Sequence, residues 1–221
     1  MESIKSFVHF ILHIDQGLNG LISQYGSQTY ILLFCILFSE TGLVVIPFLP
    51  GDSLLFAAGA LSASANAPLN LWLLYIVLFS GALLGDNLNY FIGKKLGPQL
   101  FKNEDSKIFR KKHLDRTHEF FEKNGGKTII MARFIPIVRT YAPFVAGLGA
   151  MAYRQFILFS IAGAAMWVGI CVTAGYFFGQ NPIVKQKFSL VVLMIVVISL
   201  VPAILEILKH RREMKASAGP Q

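Results

Sequence analysis

Charged residues are scarce in this chain. They make up 14% of its 221 residues, against about 25% in soluble globular proteins. Apolar residues make up 54% of the chain, and its mean hydropathy is +0.58. This balance excludes a soluble enzyme, a secreted scaffold held by disulfides and a disordered regulator. We therefore expect an all-α integral membrane protein with a single domain.

Cysteine and the familiar catalytic motifs are also scarce or absent. Cys35 and Cys171 are the only cysteines, and they lack the spacing of a metal or redox pair, so we expect two buried, inert thiols. His9 and His13 lack a third ligand, so we expect no metal and no cofactor. The P-loop, dinucleotide, HExxH and GxSxG motifs are missing, which argues against an enzyme. We also expect no removable signal peptide, because no small-residue cleavage site follows the first apolar stretch.

Long apolar segments dominate the chain instead. Three of them are long enough to cross a hydrocarbon core of about 30 Å: residues 71–93, 156–178 and 188–208. Residues 4–22 predict a weakly amphipathic helix in or near the interface. Segments 30–66 and 128–152 are broken by prolines and are too short to cross twice. We therefore predict re-entrant hairpins, whose turns must be covered by protein or open to water.

Basic residues indicate the orientation. Of the 20 Lys and Arg residues, ten fall between Lys94 and Lys127, and four more lie in the tail that begins at Lys209. The positive-inside rule places the loop 94–127 and the tail 209–221 in the cytoplasm. Hairpin 128–152 then enters from the cytoplasm and hairpin 30–66 from outside. The net charge of +8 therefore needs no nucleic-acid partner.

The two halves of the chain repeat one arrangement of small residues. Four positions recur 82 residues later: Gly81, Ala82, Gly93 and Gly97 match Gly163, Ala164, Gly175 and Gly179. A proline-broken segment precedes each set, with Pro47 and Pro50 in the first half and Pro136 and Pro143 in the second. Because the two hairpins enter from opposite sides, we predict an inverted repeat, which is typical of transporters with a binding site near the midplane.

Charges inside the membrane segments are the candidate site. Glu40 and Asp52 belong to the first hairpin, and Arg133 and Arg139 belong to the second. We expect them to meet, since each sign lowers the desolvation cost of the other. Guanidinium groups suit a phosphate, helix N-termini after Asp52 and Pro143 would add positive dipole ends, and the carboxylates can carry protons. The alternative is a structural salt-bridge cluster that holds the two halves together.

A polar stripe in the segment 71–93 is a secondary candidate. Asp86, Asn89 and Tyr90 share one helical face. Such a stripe either forms hydrogen bonds to a neighbouring helix or lines a transport path, and both interpretations stay open. The hairpin breaks at Pro50, Gly51, Pro136 and Pro143 complete the candidate residues.

Five short motifs follow one another along the chain. They are Glu40-Thr41-Gly42, Phe48-Leu49-Pro50-Gly51-Asp52-Ser53, Gly85-Asp86-x-x-x-Tyr90, Arg133-Phe134-Ile135-Pro136-Ile137-Val138-Arg139-Thr140 and Ala146-Gly147. In this order they resemble the DedA family, also called the VTT-domain or SNARE-associated Golgi protein family, over roughly residues 1–212. The resemblance implies a bacterial inner-membrane protein with paired re-entrant hairpins. It also implies that Glu40 with Asp52, and Arg133 with Arg139, are the family's essential acidic and arginine pairs.

The resemblance further implies proton-dependent transport or lipid translocation. Undecaprenyl phosphate and phospholipids are the implied substrates, and membrane lipids and protons are the implied partners. The sequence allows a homo-oligomer without requiring one. A small-ion or drug/proton antiporter that uses the same carboxylates is the alternative, and a structural assembly factor is a third reading. An intramembrane lipid phosphatase is disfavoured, because neither hairpin contains a histidine.

Overall fold

A computed structural model describes residues 26–43, 51–63, 69–100 and 126–181, together with the helical positions Val191 and Met194. After a short 3-10 turn at Gly26–Gln28, these ranges contain six helices: α1 (Thr29–Gly42), α2 (Gly51–Ser62), α3 (Leu71–Leu100), α4 (Lys127–Ala132), α5 (Pro136–Leu148) and α6 (Tyr153–Gly179). The described residues contain no strand, which agrees with an all-α fold. The predicted helix 4–22, most of the loop 94–127, the tail 209–221 and all but two positions of segment 188–208 lie outside the described residues.

Helices α3 and α6 are the two long elements. Within them, Leu71–Leu96 and Tyr153–Gly179 are long and apolar enough to cross a membrane. The side chain of Asn70 begins α3 by accepting hydrogen bonds from the backbone N–H groups of Trp72 and Leu73, at 3.0 and 3.1 Å. The two helices cover the predicted segments 71–93 and 156–178 and extend them at their ends.

The other four helices are too short to cross a bilayer. The longest of them, α1, has 14 residues and therefore measures about 21 Å along its axis. Helices α1 and α2 are separated by residues 44–50, which include Pro47 and Pro50 and lie outside the described residues. Helices α4 and α5 are separated by a break at residues 133–135. Pro136 begins α5, where its fixed φ and missing N–H suit the first helical turn.

Pro143 lies inside α5 rather than at a turn. The prediction that a half-helix begins after Pro143 was therefore wrong, since the helix starts at Pro136, just before Arg139. A proline within a helix removes a backbone hydrogen bond, and the freed groups need another donor inside a membrane. The side-chain amide of Asn89 donates to the carbonyl of Thr140 at 2.6 Å, next to the carbonyl of Arg139 that loses its helical donor at Pro143, and so ties α3 to α5 beside the proline.

Glycines allow α2 and α6 to pack backbone against backbone. A Cβ added to Gly175 would overlap the carbonyl oxygen of Phe56, and one added to Gly59 would overlap the carbonyl oxygen of Val172. Between membrane helices the hydrophobic effect supplies little attraction, and close van der Waals contact replaces it. The α2–α6 interface therefore requires a glycine at both positions.

The interface between α3 and α5 is built in the same way. A Cβ on Gly93 would overlap the carbonyl oxygen of Phe144, and one on Gly147 would overlap the carbonyl oxygen of Tyr90. Gly93 occupies the position 82 residues before Gly175. Each half thus sends the second helix of its broken segment onto the long helix of the other half.

The polarity of the helical assembly is inverted relative to a soluble protein. Large apolar side chains face outward on both long helices, among them Trp72, Ile76, Leu158 and Phe177. Polar side chains lie inside, among them Glu40, Asp86, Asn89, Arg133 and Ser160. This distribution is expected for a protein whose surroundings are lipid.

The cysteines correct one expectation. Cys35 is exposed on α1 and Cys171 is only half-buried on α6, so the prediction of two buried thiols was wrong for Cys35. An apolar run in the sequence indicates a membrane environment, but it does not distinguish the side of a helix that faces lipid from the side that faces protein.

Candidate functional site

Arg139 joins the two broken segments through two carboxylates. Its Nη1 donates to Oδ1 of Asp52 at 2.5 Å, and its Nη2 donates to Oε1 of Glu40. Glu40 lies near the end of α1 and Asp52 in the first turn of α2. The side chains of Arg139 and Glu40 are only 8% and 1% exposed. The expected encounter between acidic residues of one half and an arginine of the other is therefore present at Arg139.

Gly51 makes room for this arrangement. A Cβ on Gly51 would overlap Oε2 of Glu40, so any larger residue at the start of α2 would displace the carboxylate. The contact also sets Glu40 beside the N-terminus of α2, where the helix dipole favours a negative charge. Pro50, the neighbouring candidate residue, lies outside the described residues.

Arg133 has a different partner from the one expected. We predicted that it meets Glu40 and Asp52, and this was wrong: its Nη1 donates to Oδ2 of Asp86 on α3. Arg133 lies in the break after α4, and its Cδ lies 3.4 Å from the position of a Cβ added to Gly163. Because α4 packs on α6 at this glycine, the guanidinium is directed to Asp86 instead of the α1–α2 break.

Ser160 on α6 supports the same pair. Its hydroxyl donates to Oδ2 of Asp86 at 2.5 Å, the oxygen that Arg133 also contacts. Asp86, Ser160 and Arg133 are all buried. Asp86, a secondary candidate in the sequence, is therefore a direct ion-pair partner in the site.

The other two residues of the polar stripe bind neighbouring backbone. The amide nitrogen of Asn89 donates to the carbonyl oxygens of Thr41 and Thr140, at 3.2 and 2.6 Å. The hydroxyl of Tyr90 donates to the carbonyl of Met151 at 2.5 Å. Of the two interpretations left open for the stripe, hydrogen bonding between segments is confirmed for Asn89 and Tyr90.

Trp167 on α6 connects the two arginines and was missed from the sequence. Its ring centroid lies 4.7 Å from Cζ of Arg139 and 5.4 Å from Cζ of Arg133, within the range of a cation–π interaction. Its indole N–H donates to Oδ1 of Asp52 at 2.8 Å. The sequence did contain one signal for it. Spacings of three and four residues place Trp167 on the same helical face as Ser160, Gly163 and Ala164.

We call these residues the ion cluster: Glu40, Asp52, Asp86, Arg133, Arg139 and Trp167. Its three carboxylates face two guanidinium groups, so the cluster becomes neutral when it binds one proton. Several of its buried polar atoms have no hydrogen-bond partner among the described residues: Oε2 of Glu40, Nε of Arg139, and Nε and Nη2 of Arg133. Unsatisfied buried atoms are rare in proteins and often mark functional groups.

Replacement of Trp167 by phenylalanine tests its hydrogen bond to Asp52. An aromatic ring is kept, but the N–H and part of the buried ring volume are lost. We therefore expect the free energy of unfolding to fall by at least about 1.5–3 kcal/mol, the range for a hydrogen bond to a charged group. The control is Trp72→Phe, because Trp72 is 76% exposed and its loss should change the free energy by less than about 0.5 kcal/mol. Titration with a denaturing detergent measures both, and equal effects would contradict the assigned contact.

Comparison with known proteins identifies related sequences. The sequence profile of the VTT domain matches residues 49–177, which include Asp52, Asp86, both arginines and Trp167. The chain is 50% identical to the Protein DedA of Escherichia coli K12 over 218 residues, which cover 99% of this chain and 100% of that protein.

Two further relatives are named as membrane proteins. An uncharacterised membrane protein of Mycobacterium tuberculosis is 46% identical over 85% of this chain and 81% of its own length. The inner membrane protein YqjA of Escherichia coli K12 is 37% identical over 70% of this chain and 69% of its own length. No solved structure matches the chain.

Proposed function

This chain belongs to the VTT-domain family of DedA membrane proteins, and from that premise we propose that it carries a lipid-linked phosphate across the bacterial inner membrane. Undecaprenyl phosphate and phospholipids are the substrate classes we assign to it. The arginines of the ion cluster bind the phosphate, and Glu40 and Asp52 exchange protons. The protein moves its substrate without changing it chemically.

The contact of Arg139 with two carboxylates is the observation that carries this proposal. Each terminal nitrogen of Arg139 faces an acidic side chain, in a site almost closed to solvent. A phosphate that binds Arg139 must displace Glu40 or Asp52, and a displaced buried carboxylate is costly unless it takes up a proton. Phosphate binding and proton binding are therefore linked at the same guanidinium.

This linkage answers an energetic problem of lipid phosphate transport. Inward movement of an anion against an inside-negative potential requires about 2.3 kcal/mol per charge for each 100 mV. A proton that travels with the anion cancels the charge and therefore this work. The apolar tail of the lipid remains in the bilayer, against the outward-facing side chains of α3 and α6.

We also propose an inverted repeat of two re-entrant hairpins, α1–α2 and α4–α5, which the packing of the helices supports. The positive-inside rule places the basic tail in the cytoplasm. The matching contacts at Gly93 and Gly175 are what two structurally related halves would make. None of the four hairpin helices is long enough to cross the bilayer. In this architecture the breaks of both hairpins approach the midplane, where transporters of inverted-repeat type bind their substrates.

Reconstituted flipping of a fluorescently labelled lipid phosphate tests the proposal. Liposomes that contain the protein are given a pH gradient, a membrane potential, both or neither, and the label in the outer leaflet is bleached with dithionite. We expect wild-type flipping to respond to the pH gradient and, because the proton cancels the charge of the anion, to respond little to the membrane potential. Arg139→Ala should reduce the rate at least about tenfold. Tyr75→Phe is the matched control, since it removes a hydroxyl bonded to Thr173 outside the ion cluster.

A surplus carboxylate in the ion cluster favours a second candidate, an ion or drug/proton antiporter. The same liposomes loaded with a pH-sensitive dye separate the two candidates. Proton release on addition of Na⁺, K⁺ or a lipophilic cation, without flipping of the lipid phosphate, would replace the carrier proposal by the antiporter. Flipping at equal rates under all gradients would remove the proton coupling and leave a passive scramblase.

A further inference from the structure

Two hydrogen-bond donors of Arg133 have no partner in the described part of the chain. Its side chain is 5% exposed, and among the described residues only Nη1 has a hydrogen-bond partner, Asp86. Nε and Nη2 are both buried and both without a hydrogen-bond partner among the described residues. In a planar guanidinium group these two nitrogens form one edge, and their N–H bonds point in the same direction. That edge matches two oxygens of a phosphate or carboxylate.

Arg139 differs in this respect. Both of its terminal nitrogens already face carboxylates, those of Asp52 and Glu40. In the part of the chain that the structure describes, only its Nε lacks a partner. An anion can approach Arg139 with two hydrogen bonds only after a carboxylate has left. Arg133 offers two donors at once, and no carboxylate of the described residues has to leave them first.

We propose that the Nε–Nη2 edge of Arg133 is the first seat of the phosphoryl group, and that Arg139 engages the substrate only in the later, proton-linked step. The inference rests on the proposed function and refines it, because it assigns different roles to the two arginines. Of the proposed substrates, the inference concerns the phosphate monoester of a lipid headgroup, which is the chemistry of undecaprenyl phosphate and not of phosphodiester phospholipids.

Asp86 and Ser160 are positioning residues for this seat. Asp86 holds the opposite end of the guanidinium through Nη1, and Ser160 fixes the same carboxylate oxygen from α6. Trp167 lies against one face of the group. With one end and one face held, the free edge has a fixed direction, which reduces the entropy lost when a ligand binds.

Trp167 also provides the readout. The chain has two tryptophans, so in a Trp72→Phe background all tryptophan emission comes from the residue beside Arg133. The full-length protein in detergent micelles is titrated with octyl phosphate, inorganic phosphate and octyl trimethylammonium. We expect a saturable change in emission with octyl phosphate and none with the cation.

Arg133→Lys is the decisive variant. Lysine keeps the charge for Asp86 but has no two-donor edge, and the loss of one charge-assisted hydrogen bond corresponds to about 10- to 100-fold weaker binding of octyl phosphate. Arg139→Lys should weaken this binding no more than about threefold while it still abolishes flipping. A larger loss in Arg139→Lys than in Arg133→Lys would overturn the inference and leave the carrier proposal standing.

A second variant keeps the test valid if Arg133→Lys does not fold. Ser160→Ala leaves Arg133 in place but loosens Asp86, and we expect several-fold weaker binding that Ser160→Thr restores. Ser80→Ala is the matched control, because the hydroxyl of Ser80 donates to the carbonyl of Val77 on its own helix, outside the ion cluster. Unchanged affinity in Ser160→Ala would overturn the positioning role and the seat with it.

The two phosphate probes distinguish the source of the ligand. Tighter binding of octyl phosphate than of inorganic phosphate supports a lipid headgroup, whereas equal affinities would overturn that assignment in favour of free phosphate. If wild-type protein binds neither probe, the carrier proposal itself fails. The inference alone fails in a different case: the wild-type protein binds octyl phosphate, and Arg133→Lys binds it equally well.

Discussion

Replacement of Arg139 by glutamine should lower the free energy of unfolding at neutral pH by about 3–5 kcal/mol, the range for removal of one partner from a buried ion pair. The change leaves Glu40 and Asp52 without a cation, and the side chain of Glu40 is only 1% exposed. A protonated carboxyl group needs no counter-charge. We therefore expect the deficit to shrink as the pH is lowered, when measured by denaturing-detergent titration at several pH values.

Neutralising the acidic partners should restore stability without restoring transport. Adding Glu40→Gln to Arg139→Gln should recover part of the lost free energy of unfolding. Adding Asp52→Asn to this double variant should recover more, because an ion pair replaced as a whole is often close to neutral for stability. Flipping of the lipid phosphate should stay absent in all three variants. Stability and transport then separate, which a purely structural salt bridge would not allow.

Arg154→Gln is the matched control for this series. Arg154 is exposed at the start of α6, so its loss should change the free energy of unfolding by less than about 0.5 kcal/mol. If Arg139→Gln were as stable as Arg154→Gln at neutral pH, the carboxylates around Arg139 would not be the buried charges described above.

The fold class and four central charges were predictable because each follows from a local property of the chain. Long apolar runs predict α3 and α6, and an ionisable residue inside such a run is costly enough to be informative by itself. Glu40, Asp52, Arg133 and Arg139 were found on this ground. The sequence also indicated the small residues at Gly93 and Gly175, where helices touch in the structure.

The pairing of charges could not be read in the same way. Which carboxylate an arginine meets depends on how helices cross, and the sequence gives no crossing angles. Arg133 belongs to the same segment as Arg139 but is directed to Asp86, since α4 packs on α6 at Gly163. Trp167 was overlooked for a related reason: within an apolar span, a tryptophan that faces the ion cluster has the same composition signal as one that faces lipid.

The turn in the second broken segment was misjudged at Pro143. Two prolines in one segment suggested that both break the helix, yet only Pro136 coincides with a helix start. A proline can lie inside a helix at the cost of one backbone hydrogen bond, and Asn89 on another helix donates to the carbonyl of Thr140 beside it. A rule that considers only neighbouring residues does not include a hydrogen bond across 51 positions.

Substitution of Gly175 by alanine should destabilise the protein, whereas the same change at Gly169 on the same helix should not. A Cβ at Gly175 would overlap the backbone carbonyl of Phe56, which cannot rotate away, so α2 and α6 must separate at an expected cost of about 1–3 kcal/mol. A Cβ at Gly169 meets no atom within 4 Å. There alanine should stabilise the helix by up to about 1 kcal/mol.

Gly93→Ala extends this comparison to the other half of the chain. Its Cβ would overlap the carbonyl of Phe144, the contact equivalent to Gly175 with Phe56, so we expect a loss within about 0.5 kcal/mol of that in Gly175→Ala. The double variant should lose the sum of the two, because the interfaces share no residues. Denaturing-detergent titration of the four proteins measures these differences. A loss of stability in Gly175→Ala but not in Gly93→Ala would contradict the equivalence of the halves. Only one of the two interfaces would then depend on a close backbone contact at its glycine.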